Sequence, residues 1–210
     1  HRILMMEQNS YNLSIMSSAK NISQFIYSDE ELIKKFQEGN EDAFVELVNR
    51  YKDKLINFVF RMINDEEQAE DIVQETMIKL YQKKHYYREI AKFSTWIYTI
   101  ARNQTISELR KQKRKNTLSL SQMTKNEKDY ELVANQPDIG KEHEDQFFYK
   151  KIESCMNKLP QHYKTVIILR DIDQLPYDEI SEIVDVPLGT VKSRINRARL
   201  QLQAELKDLK

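Results

Sequence analysis

The segment from Thr190 to Gln203 carries basic and hydrogen-bonding side chains and no acidic residue. Its outward-facing candidates are Lys192, Ser193, Arg194, Asn196, Arg197 and Arg199. Lysine and arginine neutralise phosphates, whereas arginine, asparagine and serine also hydrogen-bond to base edges. These residue types predict contact with duplex DNA through its major groove. The alternative is a basic surface helix of a helical bundle.

The flanking residues predict two short helices joined by a tight turn. Pro176 suits the first turn of a helix, and the carboxylates of Asp178 and Glu179 suit its positive end. Asp185-Val186 forms the turn, because aspartate tolerates a left-handed backbone better than most residues, and Pro187 starts the second helix. The apolar spacing turns four side chains of that helix inward: Val191, Ile195, Ala198 and Leu202. This pattern is typical of a helix-turn-helix, with Gly189 leaving room for a phosphate.

A second cluster combines aromatic and basic residues. It holds Tyr86, Tyr87, Phe93, Trp96 and Tyr98 among Lys83, Lys84, Arg88, Lys92 and Arg102. Cationic tracks with ring faces bind single-stranded DNA. The helical spacing of Phe93 and Trp96 favours a core position for these two, so Tyr86 and Tyr87 are the better candidates for base contacts. Asn103, Ser107 and the run from Arg110 and Lys111 to Lys115 follow as candidate phosphate contacts.

Charge is unevenly distributed although the formal net charge is zero. Residues 29–76 hold 6 basic and 14 acidic side chains, and residues 77–115 hold 11 basic and 2 acidic ones. The acidic residues 66–75 cannot face DNA. They fit either a protein partner or an ordinary solvated helix whose acids favour its N-terminus.

Composition limits the other possibilities. The single cysteine, Cys155, fits a reducing compartment, and its apolar helical spacing favours the core. No apolar run approaches the roughly 20 residues of a membrane span, and the first residues do not form a secretory signal. His85, His143 and His162 lie far apart without carboxylates at metal-ligand spacing. We therefore predict a cytoplasmic protein that has no catalytic or metal site, needs no cofactor and does not insert into a membrane.

The distribution of glycine and proline predicts an all-α chain. Neither residue occurs between Asn40 and Gln136, and apolar residues there repeat at three- and four-residue steps. We expect helices over about 43–62, 66–81 and 94–110, with helical spacing again from Phe147. Residues 116–146 are polar and weakly periodic, which predicts a flexible acidic linker. The predicted parts are an extension (1–28), a helical bundle (29–115), the linker, and a helix-turn-helix domain (147–210).

These motifs together resemble a known family. Residues 69–76 (AEDIVQET), 93–98 (FSTWIY) and 100–103 (IARN) are similar to the second conserved region of sigma factors. Residues 159–160, 166–170 and 180–199 resemble their fourth region. The third region of larger sigma factors has no counterpart, so the resemblance is to the extracytoplasmic-function (ECF) group. It covers residues 29–115 and 147–207.

The resemblance implies a role for each module. Asp71, Gln74 and Glu75 would bind the coiled coil of the largest RNA polymerase subunit, and the C-terminal domain would bind the polymerase flap. The −10 promoter element would contact Tyr86, Tyr87, Arg88, Lys92, Phe93, Asn103, Ser107, Arg110 and Lys111. The −35 element would contact Arg170, Tyr177, Gly189, Thr190, Lys192, Ser193, Asn196 and Arg197. The loop over residues 86–92 lacks the glycine often found in relatives.

The resemblance thus implies a subunit that binds core polymerase and promoter DNA, both double-stranded and melted, with an anti-sigma factor as a common further partner in the family. One alternative is a helix-turn-helix regulator that binds duplex operator DNA without polymerase. A nuclease and a helical scaffold are two others, which the scattered histidines and the acid-free helix disfavour.

Overall fold

The computed structural model describes residues 27–123 and 151–207, with side chains as far as Lys115 in the first stretch. The described residues are helical and include no strand, which confirms the all-α prediction. The helices are α1 (Asp29–Gln37), α2 (Glu41–Ile63), α3 (Glu66–Lys83), α4 (Phe93–Met123), α5 (151–158), α6 (Gln161–Ile167), α7 (Tyr177–Val184) and α8 (Leu188–Lys207). A 3-10 turn (Lys84–Tyr86) follows α3, and a π-helical turn (Ile168–Ile172) continues α6.

Short polar side chains fix where the N-terminal helices begin. Ser28 and Glu31 form a capping box at α1, in which each side chain accepts a hydrogen bond from the other's backbone N–H. Asn40 caps α2, and Asp65 caps α3 through the Gln68 N–H at 3.0 Å. The Asn64-Asp65 break between α2 and α3 was expected. Helix α1 was not predicted, although its capping box is a sequence signal that could have located it.

The N-terminal bundle packs α1, α3 and α4 around α2. Its fully buried side chains come from all four helices: Ile33, Phe36, Leu47, Leu55, Phe58, Leu80, Phe93 and Ile97. The predicted three- and four-residue apolar steps of α2 and α3 supply most of this core. Because so much apolar surface is removed from water, the bundle is a rigid platform for the loop and the helix faces described below.

The C-terminal domain buries apolar side chains of its own. Ile168, Leu169, Ile180, Ile183 and Val191 are fully buried. Cys155 is also buried at 4% exposure, as its position on the apolar face of α5 predicted. This core fixes α7 against α8, and so sets the geometry of the predicted DNA-binding motif.

Helix α4 is longer than its sequence pattern suggested. The expected end was near Arg110 and the expected linker began at 116, whereas the helix continues to Met123. The remaining residues of the predicted linker, 124–146, and residues 1–26 of the predicted extension lie outside the described residues. The first residues of the predicted linker, 116–123, therefore continue the helix that carries the basic run.

Candidate nucleic-acid interface

Helices α7 and α8 form a helix-turn-helix. Asp185 adopts the left-handed conformation between them, with φ 54° and ψ 55°, and the Ser181 hydroxyl donates to the Val186 carbonyl at 2.6 Å. Val191, Ile195 and Ala198 are buried on the inner face of α8 as predicted, with Leu202 partly buried. The turn that the sequence predicted is therefore present, with aspartate at the position that requires a positive φ.

The outer face of α8 is open to solvent. Gly189, Lys192, Ser193, Asn196 and Arg197 are all exposed. A Cβ placed on Gly189 would meet nothing within 4 Å, so packing within the protein does not demand glycine there. Arg199, by contrast, donates from Nε to Asp171 at 3.0 Å. The helix thus presents one basic, hydrogen-bonding face of a size suited to a major groove.

Three further predicted contacts border this face. The guanidinium of Arg170 lies over the Tyr177 ring, 4.7 Å from its centroid, and donates to the Leu175 carbonyl at 2.9 Å. Thr190 is half-buried in the first turn of α8. The stacked pair is held in place before any ligand arrives, which lowers the entropic cost of contacting a phosphate.

The loop after α3 divides its two tyrosines between solvent and core. Tyr86 is 77% exposed, whereas Tyr87 is 6% exposed. The Tyr87 hydroxyl donates to the Ala91 carbonyl at 2.8 Å, and burial raises the pKa of Tyr87 to about 12. The prediction that Tyr87 contacts a base does not agree with this structure, because the Tyr87 ring packs against Phe93 and Trp96.

Phe93 is also a core residue. It is fully buried against Tyr51, with ring centroids 5.3 Å apart, and its backbone N–H donates to Glu30 at 3.0 Å. This position agrees with the core placement that its helical spacing favoured, and it argues against the −10 contact that the family resemblance implied. Trp96 packs partly buried against the core, as its helical spacing favoured. Of the predicted −10 contacts in this loop, Tyr86, Arg88 and Lys92 are exposed and can be reached by a nucleic acid.

Helix α4 carries the remaining candidates on its surface. Asn103, Ser107, Arg110 and Lys111 are exposed at steps of three and four residues, so they share one side of the helix. The Ser107 hydroxyl donates to the Asn103 carbonyl at 2.8 Å, and Lys111 pairs with Glu108 at 3.3 Å. This side forms a polar, mostly basic strip.

The acidic face lies elsewhere on the bundle. Asp71, Gln74 and Glu75 are exposed on α3, with Glu75 3.7 Å from Lys79. Asp71 and Gln74 border a groove of about 420 Å³ whose other lining residues include the apolar side chains of Val48, Ile56, Val73 and Met77. An apolar floor with an acidic rim is a surface suited to a protein partner rather than to DNA.

The two domains pack against each other, which the sequence did not predict. Buried Glu179 of α7 accepts from Lys92 Nζ at 2.6 Å and from the Ser94 hydroxyl at 3.1 Å, and it raises the pKa of Lys92. Buried Lys164 donates to the Met62 carbonyl at 3.2 Å, and its burial lowers its pKa. We call this packing the docked arrangement. It occupies Lys92, one of the predicted −10 contacts.

A third cross-domain contact joins Tyr98 and Asp173. The Tyr98 hydroxyl lies beside the Asp173 carboxylate, whose Oδ2 atom is buried without a hydrogen-bond partner in the described part of the chain. Burial raises the pKa of Asp173 to about 6, although Tyr98 and Arg61 oppose the shift. Sequence reasoning missed Asp173 and Lys164, because no motif distinguishes them from surface residues. Glu179 was seen only as a helix-start carboxylate.

Fold and surface together define a helical DNA-binding protein with one duplex-reading motif and a second basic surface. Family models agree and are more specific: "Sigma-70 region 2" matches residues 47–115, and "Sigma-70, region 4" matches residues 149–202. The chain is 39% identical to the ECF RNA polymerase sigma factor SigW of Bacillus subtilis over 84% of its length and 96% of that protein. It is 32% identical to the ECF RNA polymerase sigma-E factor of Haemophilus influenzae, over 87% and 97%. The chain belongs to the ECF group of the sigma-70 family.

Solved structures share the fold. Sigma factor RpoE of Bartonella quintana, in complex with the anti-sigma factor NepR, matches 78% of this chain and 96% of its own, with a TM-score of 0.62 and 27% identity. CnrH, in complex with the cytosolic domain of CnrY, matches with a TM-score of 0.63 and 20% identity over 86% and 97%. No helix among the described residues is both long and apolar enough to cross a membrane.

Proposed function

We propose that this chain is a cytoplasmic, non-catalytic initiation factor that binds core RNA polymerase and directs it to promoters with matching −10 and −35 elements. The observation that carries the proposal is the exposed, acid-free face of α8 on a fully formed helix-turn-helix. Membership of the ECF group supports the assignment of that face to the −35 element. An anti-sigma factor is a further proposed partner, since the similar RpoE structure is a complex with one.

The −35 contacts follow from reach and chemistry. Arg197 and Asn196 can hydrogen-bond to base edges, while Lys192 and the Arg170–Tyr177 pair suit phosphates. Ser193 and Thr190 add hydroxyl groups beside the helix N-terminus, where the dipole favours an anion. Base contacts set the preferred sequence, and phosphate contacts supply most of the salt-dependent affinity.

The −10 contacts fall to the exposed part of the N-terminal bundle. Tyr86 offers a free ring on which an unstacked base can pack, and extraction of a base costs only a few kcal/mol. Asn103, Ser107 and Arg110 lie along α4, where they can follow the same strand. The fixed positions of Tyr87 and Phe93 in the core make them supports of this loop rather than contacts.

Polymerase binding is assigned to the acidic face of α3. Asp71 and Gln74 border the groove that Val73 and Met77 help to line, so a partner could bury apolar surface and meet a negative rim at once. Two basic residues accompany the acidic ones on this face. Lys52 also lines the groove, and Lys79 pairs with Glu75. One protein can therefore hold polymerase and promoter on separate surfaces.

In the docked arrangement Lys92, a predicted −10 contact, is bound to Glu179 of the C-terminal domain. Positions −10 and −35 are about 25 base pairs apart, or about 85 Å along B-DNA at 3.4 Å per pair. The two domains, by contrast, are in direct contact. Residues 124–150 can cover at most about 95 Å at roughly 3.5 Å per residue. We infer that the domains separate when both elements are bound, with Lys92 then released from Glu179.

In vitro transcription with core polymerase tests the proposal. A promoter library selected with the reconstituted holoenzyme should yield start-site-specific transcripts that depend on two elements. Core polymerase alone is the control. Tight binding to duplex DNA without polymerase, combined with no binding to core, would favour the operator-binding regulator instead.

A further inference from the structure

A cleft of about 490 Å³ lies between the domains and is lined by cations from both. Arg102, Arg110 and Lys113 of α4 form one side, and Arg194 of α8 reaches it from the other domain. Ile106 and Leu109 contribute an apolar floor, and no carboxylate of the described residues lines the cleft. A volume of this size lies within the range of small-molecule sites.

The cations are close enough to affect one another. Partial burial is the main cause that lowers the pKa of Arg102, and the nearby charges of Arg110 and Arg194 also lower it. Asp185 is the carboxylate that opposes this shift, and it lies outside the lining of the cleft. The Nε of Arg102 is buried and has no hydrogen-bond acceptor in the described part of the chain. Three arginines, Arg102, Arg110 and Arg194, therefore face one space in the docked arrangement, and Asp185 is the described carboxylate that acts on Arg102.

We propose that this cleft binds an oligophosphate anion: inorganic pyrophosphate or the phosphate chain of a nucleotide. Guanidinium groups pair with phosphate oxygens through two parallel hydrogen bonds, and adjacent phosphates can engage Arg102 and Arg194 together. The floor of Ile106 and Leu109 offers apolar contact to a nucleoside attached to those phosphates. The site goes beyond promoter recognition, because it exists only while the two domains are docked.

The anion stabilises the docked arrangement by mass action. Arg102 and Arg194 belong to different domains, so a ligand that bridges them binds the docked form better than the separated one. It also removes the repulsion among Arg102, Arg110 and Arg194. The cleft couples phosphate concentration to the fraction of chains in the docked arrangement, in which Lys92 is bound to Glu179.

Calorimetric titration of the full chain with pyrophosphate tests the site. One molecule should bind per chain, more weakly as salt rises. Arg102→Ala and Arg194→Ala should each weaken binding by about tenfold or more, the loss expected for a charge-assisted pair. The matched controls Arg88→Ala and Arg197→Ala remove exposed arginines outside the cleft from the same two domains, and should leave the affinity within about twofold. Circular dichroism verifies that each variant is folded.

Two further experiments test where the anion binds and whether it is a nucleotide or a free phosphate chain. Glu179→Ala, which loosens docking without touching a lining residue, should also weaken pyrophosphate binding, and small-angle scattering should show the wild-type chain contracting when pyrophosphate is added. Tighter binding of adenosine triphosphate than of pyrophosphate indicates a nucleotide, and equal binding indicates the phosphates alone. Equal losses in the cleft variants and their controls would overturn the proposal. So would binding of a single-stranded oligonucleotide through these arginines with no binding of pyrophosphate.

Discussion

Burial separates neighbouring residues that the sequence presents as equivalent. Tyr86 and Tyr87 share one loop, one residue type and the same basic surroundings, yet one ring is in water and the other is in the core. The Tyr87 ring contacts Phe93 and Trp96, and its hydroxyl closes the loop onto Ala91. A residue's exposure therefore decides which tyrosine can meet a base.

Replacing each tyrosine with alanine should affect a different property of the protein. Tyr87→Ala removes a buried ring and should lower the free energy of unfolding by about 3 kcal/mol. Tyr86→Ala should change it by less than about 0.5 kcal/mol, as at other exposed sites, but should reduce strand opening. Urea denaturation measures the first effect, and permanganate reactivity of promoter thymines measures the second. A stable Tyr87→Ala protein would contradict the core assignment.

Separate surfaces predict separable defects. Arg197→Ala should weaken use of the −35 element by about tenfold, because a base-edge contact contributes about 1–3 kcal/mol, and should leave core binding intact. Asp71→Ala should weaken core binding and leave the isolated protein's affinity for −35 DNA unchanged. Pull-down with core polymerase and footprinting of the −35 region measure the two. Identical phenotypes would contradict the division of surfaces.

At the scale of elements, short polar residues fix several helix ends. Asn40, Asp65 and the Ser28 box begin helices, and Asn64 and Asp185 end them in the left-handed conformation. Such signals are local, so where they accompanied apolar periodicity, as in α2 and α3, the sequence predicted the helix; α1 has the capping box but was missed. The end of α4 was missed because its residues beyond 115 are polar and follow no apolar period, although nothing in them breaks a helix.

The helix-turn-helix should depend on the conformation of residue 185. Asp185→Val places a β-branched side chain at φ 54° and should destabilise the domain by about 1–2 kcal/mol. Asp185→Gly and Asp185→Asn should be tolerated, because both residues accept a positive φ. Denaturation followed by the loss of helical circular dichroism makes the comparison. If valine and glycine behave alike, the turn does not impose this conformation.

At the scale of the whole molecule, the contacts between domains are built on charged groups that are partly or fully buried. Lys164, Glu179 and Asp173 come from the C-terminal domain and meet the Met62 carbonyl, Lys92 and Tyr98 of the bundle. Burial of charges is costly unless each is paired, and one oxygen of Asp173 has no partner among the described residues. Docking is therefore sensitive to conditions that change these charges.

Asp173 predicts the direction of a pH effect. Burial raises its pKa to about 6 from an ordinary 3.8, so the docked arrangement binds the proton more tightly. Protonation of Asp173 therefore stabilises the docked arrangement fully below about pH 4, and this stabilisation is lost as the pH rises through about 6. His162, whose pKa is lowered by burial and by Arg194, acts in the opposite sense.

The comparison that isolates Asp173 is wild type against Asp173→Asn. Small-angle scattering should show the wild-type chain expanding more between pH 5 and pH 7.5 than the variant does, because asparagine cannot ionise. Tyr98, Arg61 and Lys54 face the carboxylate and do not titrate in this range, so they are constant in both proteins. An identical expansion in the two proteins would assign the pH effect to another group.

The sequence by itself determined the all-α class, the helix-turn-helix with its turn at Asp185, and the separation of acidic and basic surfaces. These features rest on local signals: apolar periodicity, capping residues and runs of like charge. Only the tertiary structure decided that Tyr87, unlike Tyr86, is a core residue, that Glu179 engages Lys92, and that Arg102 and Arg194 line one cleft. Tyr87 lies in a loop without an apolar period, and the other two contacts join residues about ninety positions apart in the chain, which leave no periodic trace in the sequence.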